Sequence, residues 1–185
     1  MPENKTITNQ ILHLEPVEDE YLGCTFDQCS FSDISLKGIF FENCIFKRCD
    51  FSNVKIESQF ETVQFQDCKM VGTDFSKMNR FSDALEFTNC NLSFAYFSET
   101  NFKETKFEKC ILTDADFSSA NLSKSIFDDC DLLRVTFSGT NLEGADIVTS
   151  FNFDISPVTN RVKGLKVSEN GLKGLLTEFD IKISH

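Results

Sequence analysis

The sequence predicts an all-β solenoid, and three observations lead to that prediction. A large apolar residue, most often phenylalanine, returns at every fifth position from Phe26 to Ile147 with two small interruptions. A small or β-branched residue lies two positions earlier, as Cys24 does before Phe26. The other three positions are mostly Asp, Asn, Ser, Lys, Glu, Thr and Gly. A period of five fits neither a helix nor a flat strand, whereas fixed self-similarity over a long run indicates stacked repeats.

The clearest units identify a resemblance to a known family. Ala115-Asp-Phe117-Ser-Ser, Ala120-Asn-Leu122-Ser-Lys and Ala145-Asp-Ile147 resemble the unit A-(D/N)-L-x-x of the pentapeptide-repeat proteins. The resemblance covers residues 24–149, about 25 units. It implies a right-handed quadrilateral β-helix of about six coils, in which four units make one coil and each unit supplies one face.

The spacing of the apolar residues can be tested against that implied geometry. Coils of about 20 residues arrange them in four columns, provided that the chain runs one residue short between Ile56 and Phe60 and two residues long between Phe75 and Phe87. The predicted columns are Phe26, Phe46, Phe65, Phe87, Phe107, Phe127; Phe31, Phe51, Met70, Leu92, Leu112, Leu132; Leu36, Ile56, Phe75, Phe97, Phe117, Phe137; and Phe41, Phe60, Phe81, Phe102, Leu122, Leu142. Sixteen of the 21 phenylalanines lie in these columns, so the repeat alone explains the excess of Phe.

The eight cysteines all lie two positions before a column residue. Six of them share one column, namely Cys29, Cys49, Cys68, Cys90, Cys110 and Cys130, and the other two, Cys24 and Cys44, lie in the column before it. A straight ladder cannot converge tetrahedrally on zinc, and parallel side chains in a reducing compartment disfavour disulfides. Free cysteine acting as a small buried apolar residue fits both the position and the neighbours. No metal and no other cofactor are therefore expected.

The ends of the repeat need caps, because an open coil exposes apolar rings and strand edges. We assign residues 1–22 to an N-terminal cap, mostly extended, residues 23–150 to the β-helix, and residues 151–185 to a C-terminal segment. Leu172, Leu175, Leu176 and Phe179 have the spacing of one face of a short helix, which Ser168 or Asn170 would cap. Residues 180–183 are predicted to form a terminal strand.

Two roles for this C-terminal face remain open. A similar helix and tail dimerise the quinolone-resistance (Qnr-type) relatives, which makes Leu172, Leu175, Leu176 and Phe179 a candidate homodimer interface. The alternative is that the helix only plugs its own coil. The expansion at residues 77–80 is too short to project like the loops of some Qnr-type proteins, so relatives without loops are the better comparison.

The net charge of the chain argues against two classes of partner. The formal net charge is −11, which disfavours direct binding to nucleic acid or to an acidic membrane surface. Residues 23–147 carry 12 basic and 20 acidic side chains, so most of the negative charge lies along the rod. The sequence has no run of 18 apolar residues and no signal-peptide pattern, which leads us to expect a cytoplasmic protein.

We find no pattern for catalysis and expect no enzyme. The two histidines, His13 and His185, lie at opposite ends of the chain, and neither a phosphate-binding loop nor a nucleophile elbow is present. The repeat itself places many Ser and Asp residues in turns. Proximity of Ser to Asp is therefore uninformative.

The resemblance to Qnr-type members implies a function in binding. Those proteins present an acidic rod that imitates DNA to DNA gyrase or topoisomerase IV, and so protect them from fluoroquinolones. The corresponding candidate residues here are Asp114, Asp116, Asp128, Asp129 and Asp131. The acidic rows are interrupted by basic residues, namely Lys47, Arg48, Lys103, Lys106, Lys109 and Lys124. A generic interaction scaffold with an unrelated protein partner is the alternative function.

Overall fold

The computed structural model describes residues 2–11, 19–79, 83–179 and 181. These residues form a parallel, four-sided β-solenoid of about six turns with almost no helix, which confirms the predicted fold class. Its strands are Thr6–Thr8 (β1), Glu20–Leu22 (β2), Thr25–Asp27 (β3), Ser35–Glu42 (β4), Ile45–Lys47 (β5), Lys55–Gln66 (β6), Asp83–Thr88 (β7), Lys106–Glu108 (β8) and Ile126–Asp128 (β9). Two 3₁₀ helices follow, at Asn170–Leu175 and Thr177–Phe179.

Every strand pair is parallel and joins one coil to the next. The pairing order is β1-β3-β5-β6-β7-β8-β9, and β4 pairs with both β2 and β6. Where no strand is long enough to be continuous, single bridges such as Asn91↔Ile111 and Asp116↔Thr136 continue the ladder. Each unit therefore contributes one short bridged segment to a face and then turns a corner.

The predicted columns are confirmed wherever their members are described. In the first column Phe87 pairs in register with Phe107, and Phe107 pairs with Phe127. Their rings stack nearly parallel, with centroids 5.0 Å and 4.7 Å apart. Rings of neighbouring columns meet edge to face, as Phe97 and Phe102 do at 90°. The edge-to-face arrangement is favoured by the aromatic quadrupoles, because it points the positive edge of one ring at the negative face of the other. Phe81 lies outside the described residues.

Both predicted changes of register are confirmed. The β4–β6 ladder pairs Lys37 with Glu57 and then Phe40 with Gln59, so the second strand is one residue short. The buried hydroxyl of Ser58 donates to the Leu36 carbonyl at this point. The long coil lies between Phe65 and Phe87, which are partners in the ladder although 22 positions apart.

The corners of the solenoid require a left-handed backbone. The residue two positions after most column residues has a positive φ, for example 54° at Asn89 and 59° at Asp114. Asn, Asp and Gly tolerate this conformation best, which explains why they are frequent there. Arg134 (φ 55°) and Phe94 (φ 59°) adopt the same conformation despite their bulk. The backbone, rather than solvation alone, therefore selects the residues at this position.

The cysteine ladder is also as predicted. All eight cysteines are free and buried. Each thiol of the long column donates to a carbonyl of the preceding coil, as Cys49 does to Phe26 O at 3.4 Å and Cys130 to Phe107 O at 3.5 Å. The thiols therefore act as small core groups that also satisfy backbone acceptors.

The ladder extends beyond both assigned boundaries of the repeat. At the N-terminal end, Thr6–Thr8 pairs with Thr25–Asp27, and Tyr21 stacks on Phe41 at 5.3 Å, so parts of residues 1–22 form a first coil. At the C-terminal end, bridges join Asn141 to Arg161 and Asp146 to Lys166, which carries the coils past residue 150. The cap residues 12–18 lie outside the described residues.

Replacing Phe107 by Ala should lower the free energy of unfolding by about 3–5 kcal/mol, because its fully buried ring stacks on two others. Denaturant unfolding followed by circular dichroism measures the change. Ser138→Ala is the matched control, since its side chain is exposed. We expect that control to stay within about 0.5 kcal/mol of the unmodified protein. An unchanged midpoint for Phe107→Ala would contradict the placement.

The free energy of unfolding should decrease at alkaline pH, because buried thiols in the folded protein have a higher pKa than thiols in the unfolded chain. Burial raises the pKa of Cys44 from 9.0 to about 11, and the neighbouring Cys130 thiol together with burial raises the pKa of Cys110 to about 12. The unfolded chain then loses these protons first. The stabilisation is complete below about pH 9 and declines as pH rises towards the folded values, by about 1.4 kcal/mol per pH unit for each such thiol.

Denaturant unfolding at a series of pH values between about 8 and about 11 measures this slope. Cys110→Ala removes one of the titrating groups. The free energy of unfolding of this variant should therefore fall less steeply with pH, by about 1.4 kcal/mol per pH unit. Identical slopes for the two proteins would show that the Cys110 thiol does not take part in the alkaline destabilisation.

Candidate partner-binding surface

The side chains available to a partner are those that the coil turns outward. Two positions of nearly every unit, the column residue and the residue two before it, point inward and are buried along the length of the rod. The other three lie on a face or at a corner. Because the coils are in register, the outward residues of one face also form columns.

Ion pairs between successive coils neutralise many of the acids. Arg48 contacts Asp27, Lys124 contacts Glu104 at 3.3 Å, and Lys166 contacts Asp146 at 3.2 Å. Within a single coil, Lys106 contacts Glu108 at 2.6 Å. Most of the basic residues that interrupt the acidic rows are thus paired with acids, so the surface is a mosaic of neutral and negative areas.

Asp114 belongs to the neutral areas. The guanidinium of Arg134 donates two hydrogen bonds to its carboxylate, both of 2.6 Å. This hydrogen bonding lowers the pKa of Asp114 and raises that of Arg134. Since the charge of Asp114 is already compensated, it is the weakest of the five candidate acids. The spacing of 20 residues, one coil, is the sequence signal that would have identified the pair.

Asp116 and Asp131 are half-buried and have a structural role as well as a charge. Each lies immediately before its column residue, and its Oδ1 accepts the backbone N–H two residues on, from Ser118 at 2.8 Å and from Leu133 at 3.1 Å. Asn91 accepts the N–H of Ser93 in the same way. Such turns explain why Asp or Asn is favoured at this position. Because an amide serves equally well, the turn does not require the negative charge.

Asp128 and Asp129 lie on the neighbouring first face. Thr149 of the next coil contacts both: its hydroxyl donates to Asp128 Oδ1 at 2.8 Å and accepts from the backbone N–H of Asp129 at 2.9 Å. Within the described part of the chain, Asp116, Asp128, Asp129 and Asp131 form no ion pair. The structure thus places four carboxylates without an ion pair on three adjoining faces of the rod, and these four residues are called the acidic surface below.

The C-terminal helix differs in type from the prediction. The segment forms two 3₁₀ helices rather than one face of an α-helix, and Ser168 Oγ accepts the N–H of Gly171 at its start. Gly171 and Gly174 lie directly on Phe153, where a Cβ at position 171 would come within 2.7 Å of the ring. The tight 3₁₀ turn allows this close approach, because both glycines then share one side of the helix.

The four predicted interface residues do not share one environment. Leu175 packs against the core, and Leu176 is partly buried, so these two help to close the last coil. Leu172 and Phe179 are 45% and 49% exposed, as is Ile181 at 55%. The segment therefore caps its own coil and still presents apolar side chains outward. Most of the predicted terminal strand, residues 180–183, lies outside the described residues.

Metal binding and membrane insertion have no support in the described residues. No three His, Cys, Asp or Glu side chains within residues 2–11, 19–79, 83–179 and 181 are arranged to hold a metal ion. The same part of the chain contains no helix with the length and hydropathy that crossing a bilayer requires. His13 and His185 lie outside the described residues.

Two family models match the sequence along the rod. The pentapeptide repeat region model matches residues 80–150, and the pentapeptide repeats (8 copies) model matches residues 24–58. The chain belongs to the pentapeptide-repeat family. Among curated proteins, no sequence match was found for this pentapeptide-repeat protein.

Solved structures of other family members share the fold. Two trypsin-treated forms of QnrB1, a plasmid-mediated fluoroquinolone resistance protein, align with TM-scores of 0.63 and 0.67 at 18% and 19% identity. The first covers 99% of both chains, and the second covers 98% of this chain and 99% of QnrB1. HetL, involved in heterocyst differentiation regulation in the cyanobacterium Nostoc, aligns with a TM-score of 0.53 at 14% identity, over 92% of this chain and 88% of HetL.

Proposed function

We propose that this pentapeptide-repeat protein binds a type II topoisomerase, DNA gyrase or topoisomerase IV, in place of DNA, and that it can thereby protect the enzyme from fluoroquinolones. The observation that supports this most directly is the acidic surface, four carboxylates without an ion pair on adjoining faces of a rod. A positively charged DNA-binding groove is the complement of such a surface. The likeness in fold to QnrB1, a fluoroquinolone resistance protein, is consistent with it.

The linear charge density of the rod can be compared with that of DNA. Six coils at about 4.8 Å give a length of about 29 Å. The net charge of −8 on residues 23–147 then amounts to one charge per about 3.6 Å. B-DNA carries one negative charge per about 1.7 Å of its axis. The rod therefore has about half the charge density of DNA, and its charge is concentrated at the unpaired acids.

A generic scaffold that binds an unrelated protein is the second candidate. The ion pairs between coils favour it, because they break up what would otherwise be continuous negative faces. The likeness to HetL, whose role is in differentiation, also shows that the fold serves other functions.

The test is inhibition of gyrase supercoiling by the purified protein, with and without ciprofloxacin. The triple variant Asp116→Asn, Asp128→Asn, Asp131→Asn should inhibit about tenfold more weakly, since each exposed ion pair across an interface contributes about 0.2–1 kcal/mol. The amides can keep the turn hydrogen bonds, as Asn91 does. Added salt should weaken the inhibition by the unmodified protein.

The matched control is the double variant Asp114→Asn, Arg134→Asn. It removes one acid and one base, leaves the net charge unchanged, and places at both corners a residue that tolerates a positive φ. We expect this control to inhibit like the unmodified protein. If the unmodified protein neither inhibits gyrase nor relieves its inhibition by the drug, the topoisomerase proposal is wrong and the scaffold function is favoured.

We further propose that the protein is a homodimer that joins through the exposed apolar side chains of its C-terminal segment. Leu172 and Phe179 remain about half exposed although the helix is docked on its own coil. Light scattering should give about twice the chain mass of 21.0 kDa, and the double variant Leu172→Glu, Phe179→Glu should give the monomer mass. Ile126→Thr, an exposed apolar residue on the first face, is the control and should stay dimeric. A monomeric unmodified protein would contradict the proposal.

A further inference from the structure

Two exposed aromatic side chains lie together at a corner in the middle of the rod. Phe94 is 54% exposed and lies at the corner between the second and third faces, and Tyr96 is 52% exposed and begins the third face. The backbone fixes their places, because Phe94 N–H donates to Thr113 O at 2.9 Å and Tyr96 bridges both Asp74 and Asp116. These two residues are called the aromatic corner.

The fold does not require either ring. The corner position of Phe94 is occupied in the neighbouring coils by Gly72 and Asp114, and its φ of 59° is unfavourable for a bulky residue. The position of Tyr96 is occupied in a later coil by Thr136. Neither ring stacks on another aromatic ring of the described chain, whereas the column rings do so throughout. The two side chains thus add apolar surface to the outside and little to the core.

The corner lies among carboxylates. Tyr96 has Asp74 on one side and Asp116 on the other along its face, and neither acid forms an ion pair within the described residues. Glu99 follows at the next corner, also without an ion pair there. Lys55 is the bridge partner of Asp74 in the same row, and Lys77 lies one coil from Glu99, but within the described residues neither lysine forms an ion pair with these acids. Two carboxylates without an ion pair therefore flank Tyr96, and Phe94 lies at the adjoining corner with its ring also exposed to solvent.

Arginine is the side chain that this combination fits best. Its planar guanidinium stacks on aromatic rings and donates hydrogen bonds to carboxylates at the same time. A lysine ammonium is a compact, strongly hydrated charge and gains less from a ring. Aromatic residues at the centre of an interface also contribute disproportionately to binding.

We propose that the aromatic corner is the anchor for an arginine-bearing segment of the partner protein, with the guanidinium held between the rings and the carboxylates of Asp74 and Asp116. This inference rests on the proposed function, in which the partner presents the basic surface that otherwise holds DNA. It adds a specific contact to a recognition that charge alone would leave unspecific.

The first experiment tests the corner without a topoisomerase. Calorimetric titration compares two capped octapeptides, one of alternating Arg and Gly and one of alternating Lys and Gly. The unmodified protein should bind the arginine peptide about two- to fivefold more tightly than the lysine peptide. The double variant Phe94→Asn, Tyr96→Thr should lose this preference and keep its affinity for the lysine peptide. Equal affinities for the two peptides, or an unchanged preference in the variant, would overturn the inference.

Folding provides an independent check. Asn tolerates a positive φ and Thr occurs naturally at the equivalent of position 96, so the double variant should melt at the same temperature as the unmodified protein or higher. A clearly lower melting temperature would mean that the rings are structural, and it would count against the proposal. Ile126→Thr, on the first face, is the matched control and should alter neither the peptide preference nor melting.

The second experiment uses reconstituted gyrase holoenzyme in a direct binding assay. If the unmodified protein binds and the double variant binds several-fold more weakly, both the function and the corner are supported. If both bind equally, the corner is not the anchor although the proposed function stands. If the unmodified protein does not bind gyrase, the proposed function fails, and the peptide titration still decides whether the corner recognises arginine.

Discussion

The structure depends on one constraint, the stacking of each large inward side chain on its counterpart one coil away. The ring pairs Phe87–Phe107 and Phe107–Phe127 repeat at 5.0 Å and 4.7 Å, close to the spacing of paired strands. The backbone ladder and the ring columns therefore share one period and support each other. A change of register in any coil would break both, which is why the short step at Gln59 and the long step before Phe87 each preserve the columns.

The same register organises the outer surface. Residues 20 positions apart become neighbours, so Arg134 reaches Asp114 and Lys166 reaches Asp146. Turn geometry adds a second constraint, because Asp116 and Asp131 each accept a hydrogen bond from their own turn. An outward acid can thus be neutralised by the next coil, engaged in a turn, or left without an ion pair, and Asp116 and Asp131 combine the last two. Only the uncompensated charge is available to steer and hold a basic partner.

The outward positions that are candidates for function are therefore those whose side chains the geometry of the coil does not require. The turn at Asp116 would be served by Asn, and the corner at Phe94 by Gly or Asn. A negative charge at the first and an exposed ring at the second are additions to the scaffold. Their proximity on the third face links the proposed acidic recognition of a topoisomerase with the proposed arginine anchor.

The sequence by itself determined the solenoid, its four columns, both changes of register and the buried cysteines, because one period governs all of them. Tertiary structure alone decided three things. It showed that the coils continue to Lys166, in a region where the five-residue apolar period is not visible in the sequence. It also showed that the C-terminal helix is of the 3₁₀ type, in which Gly171 lies against Phe153. It also paired Asp114 with Arg134 while leaving Asp131 without an ion pair. Ion pairs and end packing depend on residues about 20 positions away in the sequence, whereas the repeat can be recognised within a segment of five residues.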